Sequence, residues 1–234
     1  MFAPTVEDAR PTGGGTGRAA SARLGRKAAR IALALMLLAP AALPLGGCRR
    51  QESWHSTDIS GAVPDLQLAM VRANDGRHVN AADYRGKVVL LYFGYTFCPD
   101  VCPLTLSNVA RVLKRLGPPA DGVRVLFVTV DPGRDVPDVL KQYVAAFDPH
   151  VDGLRGDPNQ LAALARRYRV AYSVDPHGAG GRYEVTHSSI IYAFDGTGRA
   201  RLMISTLSTG KPDIDGTASD LRALLRQSVA RKGG

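Results

Sequence analysis

Two nearly continuous apolar runs, separated by a stretch with helical periodicity, dominate the pattern of the chain. The runs cover residues 88–93 and 123–130, and such runs are typical of strands that are buried on both faces of a central sheet. Between them, residues 104–116 carry apolar side chains at helical spacing and stop before Gly117-Pro118-Pro119. Glycine and proline end helices at such positions. The pattern therefore predicts a strand, a helix and a second strand.

The flanking pattern predicts more helices and three hairpins. Alternation over 63–71 followed by Asn74-Asp75-Gly76 predicts an N-terminal hairpin. Residues 137–147 and 158–168 each begin with proline and carry apolar positions at helical spacing. A hairpin insertion is expected near 172–185 around a glycine-rich tip, then an edge hairpin over 189–204 and a helix near 218–230. Together these elements predict an α/β domain with three layers.

The N-terminal 47 residues have the pattern of an export signal. A basic region from Arg18 to Arg30 precedes an apolar run over 31–45. This run is shorter than the roughly 20 residues that a membrane-spanning helix needs, and prolines interrupt its second half. We therefore expect residues 1–47 to be a signal peptide, 48–60 a tether and 61–234 the folded domain. An uncleaved membrane anchor is the alternative.

Leu45-Gly46-Gly47-Cys48 closes the apolar run with small residues before a cysteine. This sequence resembles the lipobox of bacterial lipoproteins, in which the cysteine becomes the lipidated N-terminus. Two or more acyl chains would give durable anchoring. Cys48 is then expected to hold the protein at the cell inner membrane, with the folded domain facing the periplasm.

The basic charge of the chain does not indicate a nucleic-acid partner. The formal net charge is +9, and residues 1–47 contribute +4 of it through six basic and two acidic side chains. The other basic residues are scattered among acids instead of forming one stripe. A solvated, mildly basic surface is the better interpretation.

Cys98 and Cys102 lie at the junction between the first predicted strand and the following helix. Ligands and reactive groups concentrate at this end of such sheets. If Pro103 occupies the first helical position, Cys102 lies at or near the N-cap, where free amide groups and the helix dipole stabilise a thiolate. Four-residue spacing allows both sulfurs to chelate one ion, and it also allows a disulfide.

Two thiolates leave a soft metal ion short of ligands, and His187 is the best candidate for a third. It immediately precedes a predicted central strand, so the sheet could carry its imidazole to the cysteine pair. Two sulfurs and one imidazole favour copper, as Cu(I) or Cu(II). Structural zinc normally takes four ligands, and no fourth is evident. From spacing alone, a disulfide beside an unrelated histidine remains the plainer interpretation.

Three ordered motifs resemble the signatures of the Sco/SenC family. They are Gly94-Tyr-Thr-Phe-Cys-Pro-Asp-Val-Cys-Pro103, Val130-Asp-Pro-Gly-Arg-Asp135 and Val185-Thr-His187. The resemblance implies a thioredoxin-like fold and one copper ion bound by Cys98, Cys102 and His187. It also implies a role in delivering copper to the binuclear copper site of cytochrome c oxidase, in subunit II, or in reducing the cysteines of that site. Another copper or thiol protein is the alternative partner.

Asp131 and Asp135 match acidic positions of the second motif. On a loop after the second strand they could lie beside the metal or face a partner protein. A turn capped by these carboxylates is the plainer interpretation.

The main alternative function is that of an exported thiol-disulfide oxidoreductase, which would use Cys98 and Cys102 as a redox-active pair acting on partner cysteines. Generic reductases of this type have two residues between their cysteines and a cis-proline facing them. This chain has three residues between the cysteines, and no proline occurs from Arg182 to Gly210. We therefore favour a binding protein over an enzyme.

The lipobox interpretation makes a direct prediction about the mature N-terminus. Protein extracted from bacterial membranes should begin at Cys48 and carry acyl chains, because signal cleavage precedes this residue in lipoproteins. Mass spectrometry of the N-terminal peptide measures both features. An unmodified peptide that continues upstream of Cys48 would rule the lipoprotein out.

Overall fold

A computed structural model describes residues 53–178 and 182–230 of the chain. The predicted signal segment, its cleavage site and Cys48 lie outside the described residues. Within the described ranges, no helix has the length and apolar character needed to cross a membrane.

The folded domain is built on one eight-stranded sheet with the order β1-β10-β9-β4-β5-β6-β2-β3. A separate two-stranded sheet, β7-β8, forms the insertion. The strands are β1 (Thr57–Asp58), β2 (Ala69–Arg72), β3 (His78–Asn80), β4 (Val88–Gly94), β5 (Val123–Thr129), β6 (Val151–Arg155), β7 (Tyr172–Gly178), β8 (Arg182–His187), β9 (Ile191–Phe194) and β10 (Ala200–Ile204). The α-helices are α1 (Val101–Leu116), α2 (Pro137–Ala145), α3 (Pro158–Arg167) and α4 (Ile214–Ala230).

The two apolar runs form the centre of the sheet, as the pattern predicted. β4 and β5 pair in parallel from Val88↔Val123 to Gly94↔Thr129, and every residue of β4 is buried. Strands in this position are covered on both sides and cannot tolerate a charged side chain. The predicted strand, helix and strand are confirmed.

Helices cover both faces of the sheet. Parallel crossovers are right-handed, so α1 and α2 lie on the same face, and α4 joins them because Arg115 of α1 pairs with Asp215 of α4. On the other face, Tyr168 follows α3 and packs its ring against Tyr192 and Phe194 of β9. The predicted three-layer α/β class is confirmed.

Strand β6 was not predicted, although it lies between two helices that the sequence pattern placed in succession. β6 extends the parallel sheet from β5. The sequence pattern does not indicate this strand, because Asp152 and Gly153 interrupt its apolar residues. Asp152 is nevertheless buried, where its carboxylate accepts a hydrogen bond from the Tyr84 hydroxyl at 3.1 Å and pairs with Arg72.

Two predicted hairpins form, with adjusted bounds. β2 and β3 pair in antiparallel fashion around the predicted turn, although residues 63–68 ahead of β2 are not a strand. β7 and β8 form the predicted insertion, in which Tyr172 pairs with His187. This pairing fixes where the end of β8 lies.

The predicted edge hairpin, β9-β10, lies inside the sheet. β9 pairs with β4, and β1 covers β10 by pairing Thr57 with Met203. The tether predicted over 48–60 therefore overlaps the folded domain. Asp220 of α4, which is 2% exposed, also holds this segment by accepting the backbone N–H groups of His55 and Ser56 at 3.0 and 2.8 Å.

Removing the Asp220 carboxylate should loosen the N-terminal segment. Asp220→Ala leaves two backbone donors without their acceptor, and we expect a loss of about 1–3 kcal/mol in the free energy of unfolding. Urea denaturation measures this loss, and hydrogen exchange should become faster at His55 and Ser56. Ser219→Ala, on the exposed side of the same helix, is the matched control. Equal stability of the two variants would contradict this role of Asp220.

Candidate metal centre

The end of β4 brings the chain into very close contact with a cysteine sulfur. A Cβ atom on Gly94 would lie 2.9 Å from Cys102 Sγ and 2.5 Å from the Phe127 ring. Only glycine fits there without displacing its neighbours. The residue that ends the buried strand therefore makes room for the sulfur.

The structure brings Cys98, Cys102 and His187 together. One potential ligand atom from each lies within 4.8 Å of the others, and Cys102 Sγ is 3.1 Å from His187 Nε2. Cys102 is fully buried, whereas Cys98 and His187 are half-buried. Among the described residues, this is the one group of three or more metal-ligating side chains with such spacing.

The helix begins earlier than predicted. Asp100 is the N-cap, so Val101 is the first residue of α1 and Cys102 is the second. Cys102 therefore lies near the N-cap, as predicted, but Pro103 occupies the third helical position and not the first. The Cys102 backbone N–H points at Cys98 Sγ, 3.5 Å away, so the first turn still gathers both sulfurs.

His187 is held from three sides at the end of β8. Its Nδ1 lies 3.0 Å from the Ser188 carbonyl oxygen; a proton on Nδ1 donated to this oxygen leaves the Nε2 lone pair directed at Cys102. The rings of Tyr92 and Tyr95 meet the imidazole edge-on, with centroids 6.3 and 5.7 Å away. The Tyr95 hydroxyl also donates to the Val185 carbonyl at 3.3 Å, which ties the cysteine loop to β8.

Burial keeps both partners of the close pair neutral. It raises the pKa of the Cys102 thiol to about 12 and lowers the pKa of His187. The expected stabilisation of a Cys102 thiolate by the helix end is thus outweighed by loss of water. A metal ion must displace the thiol proton, so metal affinity should rise with pH.

Asp135 braces the loop that carries the cysteines. The carboxyl group is fully buried and accepts the Thr96 N–H at 3.0 Å, the Thr96 hydroxyl at 2.6 Å and the Thr129 hydroxyl at 2.5 Å. Burial raises its pKa despite these bonds. Asp135 thereby joins the loop after β4 to the end of β5.

Asp131 is also buried and pairs with Arg134 Nε at 2.5 Å. The Arg134 guanidinium lies over the Tyr95 and Phe97 rings, 5.8 and 4.8 Å from their centroids. The two buried carboxylates are therefore not part of the metal-ligand group. Sequence reasoning missed Thr96 and Thr129, whose polar side chains at two strand ends were the available signal.

Two cysteines, one half-buried and one fully buried, lie beside an imidazole at the strand–helix junction of a thioredoxin-like domain. This arrangement defines a class of metal-binding and thiol-redox proteins. The SCO1/SenC family model matches residues 70–225, which is more than half of the chain. The chain therefore belongs to the SCO1/SenC family.

Relatives support this assignment. The mitochondrial SCO2 homologue of Bos taurus is 44% identical over 119 residues, which cover 50% of this chain and 45% of that protein. A SCO2-like protein of Rickettsia prowazekii is 35% identical over 126 residues, which cover 53% of this chain and 62% of that protein. The match thus spans about half the length of the mitochondrial relative.

Solved structures agree with the fold. Bradyrhizobium japonicum ScoI with copper bound has a TM-score of 0.61 and 35% identity, covering 69% of this chain and 99% of that chain. Arabidopsis thaliana ScoI with copper bound has a TM-score of 0.61 and 29% identity, covering 70% and 99%. BsSco, described as a member of the Sco family of cytochrome c oxidase assembly proteins, has a TM-score of 0.58 at 22% identity and shows the fold alone.

The two thiols should differ in reactivity when no metal is bound. Thiolate is the reacting form, and a pKa near 12 leaves little Cys102 thiolate at about pH 7.5. Cys102 is also fully buried, whereas Cys98 is half-buried, so we expect iodoacetamide to modify Cys98 at least about tenfold faster, since each unit by which burial raises the pKa of Cys102 lowers its thiolate fraction tenfold. Timed mass spectrometry of the cysteine peptide measures both rates, with urea-unfolded protein as the control. Equal rates in the folded protein would contradict the assigned burial.

Proposed function

We propose that this protein binds one copper ion through Cys98, Cys102 and His187 and delivers it to the binuclear copper site of cytochrome c oxidase subunit II. The observation that carries the proposal is the convergence of two sulfurs and one imidazole nitrogen within 4.8 Å. In this proposal copper is the cargo that the protein receives and passes on.

The donor set fits copper better than its competitors. Thiolate sulfurs with one imidazole suit Cu(I) in a low-coordinate site and Cu(II) with a further weak ligand. Zinc in a structural site takes four ligands, and the described residues supply three in this cluster. A three-ligand site leaves a position for an incoming cysteine of the acceptor, which ligand exchange requires.

Exposed apolar side chains around the site support transfer to a protein partner. The exposed large hydrophobic residues of the described chain are Phe97, Leu104, Val136 and Val174. Phe97 adjoins Cys98, Leu104 lies in the first turn of α1, and Val136 precedes α2.

Val174 lies on the face of the hairpin that carries the imidazole. It pairs with Val185, two positions from the Tyr172↔His187 pair, and residues two apart on a strand share a face. Exposed apolar groups on the segments that carry a site are typical of protein contacts.

Asp131 and Asp135 have a supporting role in this proposal. Asp135 holds the loop ahead of Cys98 through Thr96, and Asp131 positions Arg134 against Phe97. We infer that Asp135 keeps the sulfurs in place and that Asp131 shapes the partner-facing surface.

Anchoring would place the site where its partner is. We propose that lipidated Cys48 holds the protein at the cell inner membrane, with the folded domain in the periplasm. Two acyl chains give stable attachment. The oxidising compartment also favours a disulfide between unmetallated cysteines, so reduction of the pair must precede copper loading.

Thiol-disulfide exchange with partner cysteines is the second candidate function. The free state and proximity of Cys98 and Cys102 favour it, because a half-exposed thiol beside a buried one can attack and then resolve a mixed disulfide. That chemistry can use the imidazole beside Cys102 as a base, but it does not need three donor atoms to converge on one point, as a metal ion does. We therefore place copper binding first.

The His187 side chain decides between these functions. His187→Ala should lower copper affinity at least about 100-fold with both thiols intact, since loss of outer-shell support alone costs 10–100-fold. Copper titration against a competing chelator measures affinity, and sulfur-to-copper charge-transfer absorption reports the Cu(II) form.

His78→Ala is the matched control, because His78 is exposed on β3 and should bind copper like the wild type. Unchanged copper affinity in His187→Ala would defeat the proposal. Disulfide turnover by metal-free protein that His187→Ala leaves unaffected would favour the redox function instead.

A further inference from the structure

The three side chains of the metal-ligand group are carried by two separate sheets. Cys98 and Cys102 follow β4 of the eight-stranded sheet, whereas His187 ends β8 of the two-stranded sheet. A two-stranded hairpin is marginally stable in water by itself. Contacts between the β7-β8 hairpin and the rest of the domain must therefore hold the imidazole beside the sulfur pair.

Tyr95, in the loop between β4 and α1, reaches across to this hairpin. The residue is buried, and its hydroxyl donates a hydrogen bond to the Val185 carbonyl oxygen at 3.3 Å, although the two residues are 90 positions apart. The Tyr95 ring also meets the His187 imidazole edge-on, with 5.7 Å between centroids and 86° between planes. One side chain thus contacts both the imidazole and the hairpin backbone two residues before it.

Arg134 contacts the Tyr95 ring from the second sequence motif. Its guanidinium lies 5.8 Å from the ring centroid, and its Nε pairs with the buried carboxylate of Asp131 at 2.5 Å. A cation near an aromatic face is attracted by the quadrupole of the ring, and the buried acid fixes where this cation lies. A continuous series of contacts therefore joins the second motif, through Tyr95 of the first motif, to the hairpin that carries the third.

We propose that Tyr95 is a positioning residue, whose hydroxyl and ring hold the β7-β8 hairpin so that the His187 imidazole faces the sulfur pair. Arg134 in turn holds the Tyr95 ring. This inference rests on the proposed copper site and deepens it, because it assigns a role to residues outside the ligand group. The hydrogen bond fixes the backbone at Val185, and the ring fixes the imidazole beside it. Loss of the hydroxyl should loosen the hairpin and leave the sulfurs in place.

The first test uses the reduced, metal-free, full-length protein. Tyr95→Phe keeps the ring and removes the hydroxyl, so hydrogen exchange at the protected backbone amides of 183–187 should become about two- to tenfold faster, the factor that one net hydrogen bond contributes. Exchange in β4 and β5 should stay unchanged, which checks that the variant folds. Hairpin amides that exchange at the wild-type rate in Tyr95→Phe would overturn the proposal.

Tyr84→Phe is the matched control for this test. It also removes a hydroxyl from a buried tyrosine, but this hydroxyl donates to Asp152 of β6 at 3.1 Å. Hairpin exchange in Tyr84→Phe should equal that of the wild type. Equal acceleration in both variants would show a general loss of stability and would also overturn the proposal.

The second test asks whether Tyr95 acts through the imidazole. Tyr95→Phe should weaken copper binding by about two- to tenfold in competition with a chelator. In the His187→Ala background the same substitution should change copper affinity by less than about twofold, the range within which such double-mutant comparisons are interpreted. An equal loss in both backgrounds would mean that Tyr95 acts on the sulfurs or on the whole fold, and would overturn its assigned role.

Arg134→Met and Arg134→Lys test the contact that holds Tyr95. Methionine removes the charge, so hairpin exchange should rise as in Tyr95→Phe, whereas lysine keeps a cation and should retain most of the protection. Wild-type exchange in Arg134→Met would overturn the role of Arg134. A wild-type protein that binds no copper would instead defeat the copper proposal, and the metal-free exchange test would still decide the role of Tyr95.

Discussion

The approach of the His187 imidazole to the buried sulfur of Cys102, 3.1 Å from Nε2 to Sγ, is the contact on which the site depends. The two residues are 85 positions apart, and neither side chain can reach the other by local structure. The β7-β8 insertion supplies the reach, because its last strand ends at the imidazole. The absence of a side chain at Gly94 leaves the space that the Cys102 sulfur occupies.

The surroundings of this contact favour a metal over a proton. Burial opposes a charged thiolate and a charged imidazole, so the pair by itself is neutral and has little attraction for other charges. A soft cation reverses that balance, since its charge compensates the thiolates in a site where Cys102 is fully buried. Asp135 holds the cysteine loop in place, because its carboxyl group joins the loop ahead of Cys98 to the end of β5.

Sequence patterns predicted the parts of the fold that repeat a simple period. β4, β5 and the helix between them follow from apolar runs and helical spacing, whereas the resemblance to the Sco/SenC motifs implied the three ligands. β6 was hidden because the buried Asp152 depends on Tyr84 and Arg72, which are distant in sequence. The start of α1 was misplaced because proline is tolerated throughout the first helical turn. The raised pKa of Cys102 follows from three-dimensional burial, which no local pattern shows.

X-ray absorption at the copper edge tests the central claim most directly. For the full-length protein loaded with one copper ion, we expect two sulfur scatterers and one imidazole nitrogen around the metal. The nitrogen shell should disappear when His187 is replaced, with both sulfurs kept. A shell of oxygen and nitrogen alone, or one sulfur with no change at His187, would contradict the arrangement on which the proposed function depends.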